Sequence, residues 1–338
     1  MTATGGDRKP AVSVLMSCYN ASRWLHEATD SVLAQTFEDF EFILVDDGST
    51  DETWNIIQRY RDRDQRIVAI SKKNTGLSDS LNMGIAQAKG AWIARLDADD
   101  LCEPTRLEEQ ASFVRNHPDV VLLGTGCVEI DAHGRVIKKH LYPPEHRELV
   151  RHLERLQRFF PHSSAFFRRE LAQDAGCYSP LYRKAQDWDL WFRLAERGRI
   201  ASLGNYLVRI RKHSEQLSTS AVGTSQIVEG TAASVCHFLR TSGCTDPSDS
   251  NKEADGQDFL AWVDRRMIEE DIVERLTAWA DARTKYFAAE NRLTGALRFG
   301  IHLLQSGHTS ALVWEKLFGS SLPERLAREW MKRSCTAS

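Results

Sequence analysis

The chain has 338 residues, of which 42% are hydrophobic and 27% are charged, an ordinary composition for a globular protein of two or three domains. Its formal net charge is −3, so the chain lacks the excess of basic residues that is typical of nucleic-acid-binding proteins, and we expect no nucleic-acid partner. Seven scattered cysteines without a Cys-x-x-Cys pair disfavour a disulfide framework or a zinc site. The amino terminus lacks a signal-peptide pattern, and no apolar run reaches the ~18 residues of a transmembrane helix, so a cytoplasmic location is predicted.

The first part of the chain alternates strand and helix patterns. Short apolar, β-branched runs predict strands at residues 11–16, 40–45, 66–71, 91–96 and 119–124. Apolar positions at helical spacing predict the intervening helices, at residues 22–35, 49–63, 76–90 and 104–116. This alternation indicates an α/β fold with a mainly parallel sheet flanked by helices, in which ligands bind beyond the carboxyl ends of the strands.

Two helix starts carry local signals. Ser49 and Glu52 are spaced as a capping box, and Pro104 suits the first position of the fourth helix.

The chain is predicted to divide into three regions, 1–125, 126–222 and 223–338. The second region opens with a hairpin pattern around Ala132–Gly134, and the third is helical, interrupted by a polar loop at 241–258.

The segment "WIARLDADDLCEP" runs an apolar strand into Asp97, Asp99 and Asp100. If the strand continues through them, Asp97 and Asp99 point to the same face because side chains alternate along a strand. Paired carboxylates are hard ligands that suit Mg²⁺ or Mn²⁺ bound together with substrate phosphates. A solvated acidic turn before a helix would give the same sequence.

Polar residues also follow the first two strands, in "VLMSCYN" and "ILVDDGSTDET". Asp47 could accept a hydrogen bond from a nucleobase N–H, and Tyr19, which follows Ser17 on the same rim, could stack on a base. A half-buried tyrosine at the rim is the alternative for the first segment, and a strand–turn–helix with good capping is the alternative for the second.

A further acidic position lies in "KAQDWDLWFRLAERG", where Asp187 falls at the start of an amphipathic helix. A carboxylate in such an apolar setting could serve as a general base. Stabilisation of the helix by its charge at the amino-terminal end is the alternative.

Together, "VSVLMSCYN", "SVLAQTFEDFEFILVDDGSTDET", "NTGLSDSLNMGIAQAKGAWIARLDADD", "PHSSAFFRR" and "QDWDLWFRLAERG" resemble the family 2 glycosyltransferases with the GT-A fold, a Rossmann-like sheet with flanking helices. The resemblance covers residue 11 to about residue 220. It implies inverting transfer of a sugar from a nucleotide-diphosphate donor. It makes 1–125 the nucleotide-sugar-binding half and 126–222 the acceptor-side half.

By this resemblance, the D-A-D segment matches the family's DxD motif. Asp99 would be the main ligand of Mn²⁺ or Mg²⁺, and Asp97 would contact the metal or the ribose. Asp47 matches the aspartate that reads uracil, and Ser17 and Tyr19 match the base-contacting rim. Uridine and thymidine present the same N3–H, so the implied donor is a UDP-sugar or a TDP-sugar.

Asp187 matches the catalytic base of the family's Glu-Asp pair, although Gln186 replaces the glutamate here. His213 loosely matches a residue that meets the diphosphate or the metal; a surface loop histidine is the alternative. His162 and Trp188 are assigned to the acceptor side, and a buried, hydrogen-bonded histidine is the alternative for His162. The implied acceptor is a hydroxyl group of a glycan or a glycolipid.

Two other functions fit the fold. A sugar-phosphate nucleotidyltransferase would need a glycine-rich basic loop after the first strand, which "SCYNASRW" lacks. A catalytically silent nucleotide-binding or interaction module is the second alternative, and donor turnover separates it from an enzyme.

The segment "ALVWEKLFGSSLPERLAREWMKRS" mixes aromatic and basic residues at helical spacing. Such a helix can lie on a membrane surface, which predicts peripheral contact at the inner face of the membrane. Packing on the catalytic domain or on a second subunit of a homo-oligomer is the alternative.

Overall fold

The computed structural model describes residues 9–213, 223–249, 253–269 and 322–336. Its strands are β1 (Val12–Cys18), β2 (Phe40–Asp46), β3 (Ile67–Ser71), β4 (Trp92–Arg95), β5 (Leu101–Cys102), β6 (Val120–Ile130), β7 (Val136–His140), β8 (Phe166–Arg168) and β9 (Arg199–Arg211). Its helices are α1 (Leu25–Leu33), α2 (Thr53–Arg61), α3 (Leu77–Gln87), α4 (Arg106–Asn116), α5 (His146–Glu154), α6 (Arg169–Asp174), α7 (Gln186–Ala195), α8 (Gly223–Thr241), α9 (Glu253–Glu269) and α10 (Leu322–Thr336).

The described strands form one sheet in the order β3-β2-β1-β4-β8-β6-β9-β5, with β7 paired to β6. The first four strands in this order run parallel. In that register Cys18 at the end of β1 pairs with Asp46 at the end of β2, and Asp46 pairs with Ser71 at the end of β3. The loops that follow these strands therefore leave the sheet at one edge, as the α/β pattern predicts.

This parallel half is the core of the fold. β1 and β2 are buried along almost their whole length, as expected for parallel strands covered by helices on both faces. Leu25 and Val32 on α1 and Ile56 and Tyr60 on α2 are buried in the same apolar cluster as these strands. Their helical spacing explains why the sequence pattern identified both helices.

The second half of the sheet is mixed, because the three-residue strand β8 runs antiparallel to both of its neighbours, β4 and β6. β9 runs parallel to β6, and β5 pairs antiparallel with β9. The predicted hairpin is present, formed by β6 and β7 with Gly134 in its turn at φ 81°. β6 is continuous through residue 125. The division of the catalytic region at that residue into a nucleotide-sugar-binding half and an acceptor-side half stays a prediction.

Two predicted helix starts are wrong. α4 begins at Arg106, and Pro104 lies before it, where its carbonyl group accepts a hydrogen bond from Thr36 N at 2.9 Å. α2 begins at Thr53 without a capping box, because the Ser49 hydroxyl instead accepts a hydrogen bond from the backbone of the β1–α1 loop. Asp51, which precedes the helix, accepts a hydrogen bond from Thr53 N at 3.0 Å.

The chain divides into two compact units, the first made of residues 1–150, 158–180 and 190–216 and the second of 151–157, 181–189 and 217–338. The sheet belongs to the first unit. In the second, α8 packs against α9 and α10, and Phe259, Trp262 and Trp330 form an aromatic cluster. The described parts of the C-terminal region, residues 223–249, 253–269 and 322–336, are thus mainly helical, as predicted.

The polar loop of the third region is shorter than predicted, because α9 begins at Glu253. Residues 250–252 of that loop and 311–321 of the basic, aromatic segment lie outside the described residues. Among the described helices, none combines the length and the apolar character needed to cross a bilayer. The cytoplasmic location and the membrane contact of the C-terminal segment stay predictions.

Candidate active site

The loops after β1 and β2 are tied together by Asn20, which adopts a left-handed backbone conformation with φ 48°. Its backbone N–H donates to Ser49 Oγ at 3.0 Å, and its side-chain oxygen accepts a hydrogen bond from Thr50 N at 2.9 Å. The neighbouring Tyr19 is 54% exposed, while Ser17 is partly buried within β1. An exposed aromatic ring on a fixed loop can stack on a flat ligand.

Asp47 lies at the same edge and is buried. Its Oδ1 accepts a hydrogen bond from Thr75 N at 3.0 Å, and its Oδ2 accepts one from Gly76 N at 2.9 Å. Lys72 forms an ion pair with Oδ1. Asp47 therefore fixes the β3–α3 loop.

Sequence reasoning missed Lys72. The available signal was its position, since it follows β3 directly and so lies at the carboxyl edge of the parallel strands.

The predicted acidic cluster is present after β4. Ligand oxygens of Asp97, Asp99 and Asp100 all lie within 4.8 Å of one another. Asp97 pairs with the fully buried Arg95, whose Nη2 lies 2.5 Å from Asp97 Oδ1. Burial raises the pKa of Asp97, but Arg95, His162 and a hydroxyl contact outweigh it, so this pKa lies below its usual value.

Asp99 contacts His213, the histidine that the resemblance matches loosely to a contact of the diphosphate or the metal. His213 Nε2 lies 2.9 Å from Asp99 Oδ2. Burial, followed by the charge of Asp97, raises the pKa of Asp99 although His213 acts in the opposite direction. Three carboxyl groups this close repel one another when they are ionised, and a bound cation would relieve that repulsion.

Asp100 holds the loop in place. It is buried and accepts a hydrogen bond from Arg211 N at 2.8 Å. Burial and the charges of Asp99 and Asp97 raise its pKa well above the usual value. Ser163 Oγ lies 2.5 Å from Asp100 and 2.8 Å from Asp97. The Ser163 hydroxyl therefore bridges the side chains of Asp97 and Asp100.

Arg211 fixes the backbone of the acidic segment from β9. Its Nε donates to the Asp99 carbonyl oxygen at 3.0 Å, its Nη2 pairs with Glu27 on α1 at 2.8 Å, and its guanidinium group lies 4.2 Å from the ring centroid of Trp24. The sequence did not single out Arg211 or Ser163, because both come from distant segments and reach the cluster only through sheet pairing.

His162 has a hydrogen-bonding partner, as its second interpretation predicted. Its Nε2 lies 2.7 Å from Tyr178 Oη, and the rings of Tyr178 and Trp191 meet it edge-on. Burial and the positive charge of Arg95 lower the pKa of His162 well below its usual value, despite the opposing charge of Asp97. The imidazole is therefore neutral near pH 7, and its role on the acceptor side stays a prediction.

Asp187 lies in the first turn of α7, which begins at Gln186. Its Oδ1 accepts a hydrogen bond from Trp188 N at 2.9 Å. Glu229 on α8 accepts hydrogen bonds from Lys184 N at 2.6 Å and from the next backbone N–H, so α8 helps to fix the start of α7. Glu229 was missed, because no sequence pattern links α8 to this turn.

Comparison with known proteins gives the family. A family model described as glycosyl transferase family 2 matches residues 13–176. The amylovoran biosynthesis glycosyltransferase AmsE of Erwinia amylovora is 32% identical over 211 residues, which are 61% of this chain and 78% of AmsE. The chain belongs to glycosyltransferase family 2. It is therefore a transferase, as the resemblance implied.

Solved structures agree on the GT-A fold of this glycosyltransferase. S. aureus TarS in complex with UDP-GlcNAc superimposes with a TM-score of 0.58 at 20% identity, covering 88% of this chain and 93% of that one. The mannosyltransferase PcManGT from Pyrobaculum calidifontis, in complex with GDP-Man and Mn²⁺, gives 0.53 at 18% identity, covering 96% and 88%. The predicted fold class is confirmed.

Proposed function

We propose that this glycosyltransferase moves a sugar from a UDP-sugar to a hydroxyl group of a glycan or lipid-linked acceptor, with inversion at the anomeric carbon. The observation that carries the proposal is the acidic cluster of Asp97, Asp99 and Asp100 at the sheet edge that also holds Tyr19 and Asp47. A diphosphate and a nucleoside need these two kinds of site side by side.

The nucleoside is assigned to the β1 and β2 loops. A carboxylate oxygen can accept about two hydrogen bonds, so Asp47 Oδ2, which accepts one from Gly76, can accept another from uracil N3–H. Tyr19 stacks on the base, and Ser17 lies on the same rim. A TDP-sugar satisfies the same contacts and is the alternative donor.

The acidic cluster fits a divalent cation. Its donors are carboxylate oxygens, which Mg²⁺ and Mn²⁺ prefer, and they lie within 4.8 Å of one another, close enough for one cation to contact them together. Asp99 would be the main ligand, with Asp97 and His213 beside it. When bound, the cation supplies positive charge that stabilises the departing diphosphate.

The general base is assigned to Asp187. It takes the proton of the acceptor hydroxyl group as that oxygen forms a bond to the anomeric carbon. The bond from the same carbon to the diphosphate oxygen breaks on the opposite face, and UDP leaves with the electron pair. A single displacement of this kind inverts the configuration. Gln186, which replaces the family's glutamate, leaves Asp187 without an adjacent negative charge at that position.

The decisive experiment is nucleotide release from a panel of UDP-, TDP- and GDP-sugars, with Mn²⁺, Mg²⁺ or EDTA and without acceptor. Slow, metal-dependent release of UDP from one donor supports the proposal and identifies the sugar. Release of GDP alone, or release that EDTA does not reduce, would overturn the donor or the metal assignment.

The Asp99→Ala variant tests the ligand directly by UDP titration. Its UDP affinity should no longer respond to Mn²⁺, whereas an unchanged metal response would show that Asp99 is not the main ligand. Glu108→Ala, on exposed α4 surface, is the matched control and should bind UDP as the wild type does.

A further inference from the structure

The β6–β7 hairpin carries an unusual share of the exposed aliphatic surface. Val136 is 61% exposed, Ile137 is 42% exposed and Leu141 is 53% exposed. These three are half of the six exposed large hydrophobic side chains in the described part of the chain. Clustered exposed apolar residues mark interaction surfaces more often than single ones do.

The same surface is basic. We define the hairpin surface as residues 129–141 together with Arg158 and Lys212, which lie 3.8 and 4.0 Å from Glu129. Its cations are Arg135, Lys138, Lys139, Arg158 and Lys212, and its carboxylates are Glu129 and Asp131. Five cations and two carboxylates leave three net positive charges on a chain whose formal net charge is −3.

The edge of β7 is poorly suited to pairing with another strand. Glu129 pairs with Lys138 and Ile130 pairs with Val136, so Ile137 is an extra, bulged residue. A bulge together with exposed lysines is a common device against edge-to-edge pairing. Strand pairing of β7 with a second copy of the chain or with an extended peptide is therefore disfavoured. An anionic surface, in contrast, complements the charge of the lysines.

The tip of the hairpin is already ordered. Asp131 Oδ1 accepts hydrogen bonds from His133 N at 2.9 Å and from Arg135 N at 3.0 Å, and Oδ2 accepts one from Arg135 Nε at 2.7 Å. Gly134 takes the left-handed position of the turn at φ 81°. An ordered tip loses little conformational entropy when it binds, so less buried apolar area is needed to offset the cost of binding.

We propose that the hairpin surface docks on a bilayer containing anionic lipids. Val136 and Ile137 enter the boundary between headgroups and acyl chains, and Lys138 and Lys139 contact lipid phosphates. This surface belongs to the sheet-bearing unit, and it is distinct from the C-terminal segment for which membrane contact was predicted from sequence. The proposal does not depend on the donor, because docking needs no nucleotide-sugar.

The test is co-flotation of the full chain with two kinds of vesicle, phosphatidylcholine alone and phosphatidylcholine with about a third of phosphatidylglycerol. The double variant K138Q/K139Q should lower partitioning into the anionic vesicles, about fivefold for each lysine removed, and added salt should act in the same direction. V136S/I137S should lower partitioning without changing the net charge.

Two double variants serve as controls with the same charge change. R59Q/K89Q removes two exposed cations from other elements and should bind vesicles as the wild type does. K332Q/R333Q removes two from α10 and should also bind normally. Circular dichroism confirms that each variant is folded.

Three results would overturn the proposal. One is no binding to either vesicle, and another is loss of binding in K332Q/R333Q while K138Q/K139Q binds normally. The third is a wild-type chain that sediments as a dimer and a V136S/I137S chain that sediments as a monomer, which would make the hairpin surface a contact between copies.

Discussion

At the scale of single residues, the carboxylates of the site differ because their partners differ. Asp97 is paired with a buried arginine and has a lowered pKa, whereas the pKa of Asp100, three residues later, is raised by burial and by its neighbours' charges. The acidic motif showed where these side chains lie. It could not show which one stays free for a ligand, since Arg95, Ser163 and Arg211 decide that.

The proposed base makes a kinetic prediction. Asp187→Asn keeps the shape of the side chain and its contact with Trp188 N but cannot take a proton. We expect transfer to fall by roughly 10²–10⁴-fold while the Kd for UDP changes less than about twofold. Transfer is measured with the active donor and an acceptor, and UDP binding by calorimetry. Asp174→Asn, at an exposed position on α6, is the matched control. Wild-type turnover in D187N would refute the role of Asp187 as general base.

The ion pair of Lys72 and Asp47 makes a stability prediction. Both side chains are largely buried, so Lys72→Met leaves the Asp47 carboxylate with backbone partners only. Breaking one side of a buried pair should lower the free energy of unfolding by roughly 3 kcal/mol, measured by urea denaturation. Lys73→Met removes an exposed neighbour and should cost almost nothing. Equal losses in the two variants would mean that the pair contributes nothing.

At the scale of elements, the parallel half of the sheet and the β6–β7 hairpin could be predicted from sequence, whereas the short strands of the mixed half could not. β1 and β2 are continuous apolar runs, and the helices between them show helical periodicity that burial explains. β5 has two residues and β8 has three, and each exists because a distant strand pairs with it. Such short segments carry no periodicity of their own.

The turn after β2 gives a prediction at this scale. Gly48 has φ +72°, and a Cβ atom there would lie 2.7 Å from Asn74 N, in the loop that Asp47 also holds. Gly48→Ala should therefore destabilise the protein by about 1–3 kcal/mol and weaken UDP binding. Gly204→Ala is the control, because nothing lies within 4 Å of its Cβ and its φ is not positive. Equal unfolding midpoints for the two variants would contradict the strain argument.

At the scale of the whole molecule, the sequence indicated family, fold class and a helical C-terminal region. It did not indicate that residues 151–157 and 181–189 group with the C-terminal helices. Contacts such as that of Glu229 with the backbone before α7 link segments far apart in the chain, and they leave no local pattern.

Global stability should depend on pH through His162. Its pKa is held well below 6.5 in the folded protein, so below that pH the unfolded chain binds a proton that the folded one does not. More protons on the unfolded state mean that stability falls as pH falls, by about 1.4 kcal/mol per unit between the unfolded and folded pKa values. His162→Gln can keep a hydrogen bond to Tyr178 without titrating. Urea unfolding between pH 5 and 7 should show a shallower slope in H162Q than in the wild type. Equal slopes in the two proteins would mean that His162 takes up a proton in the folded state.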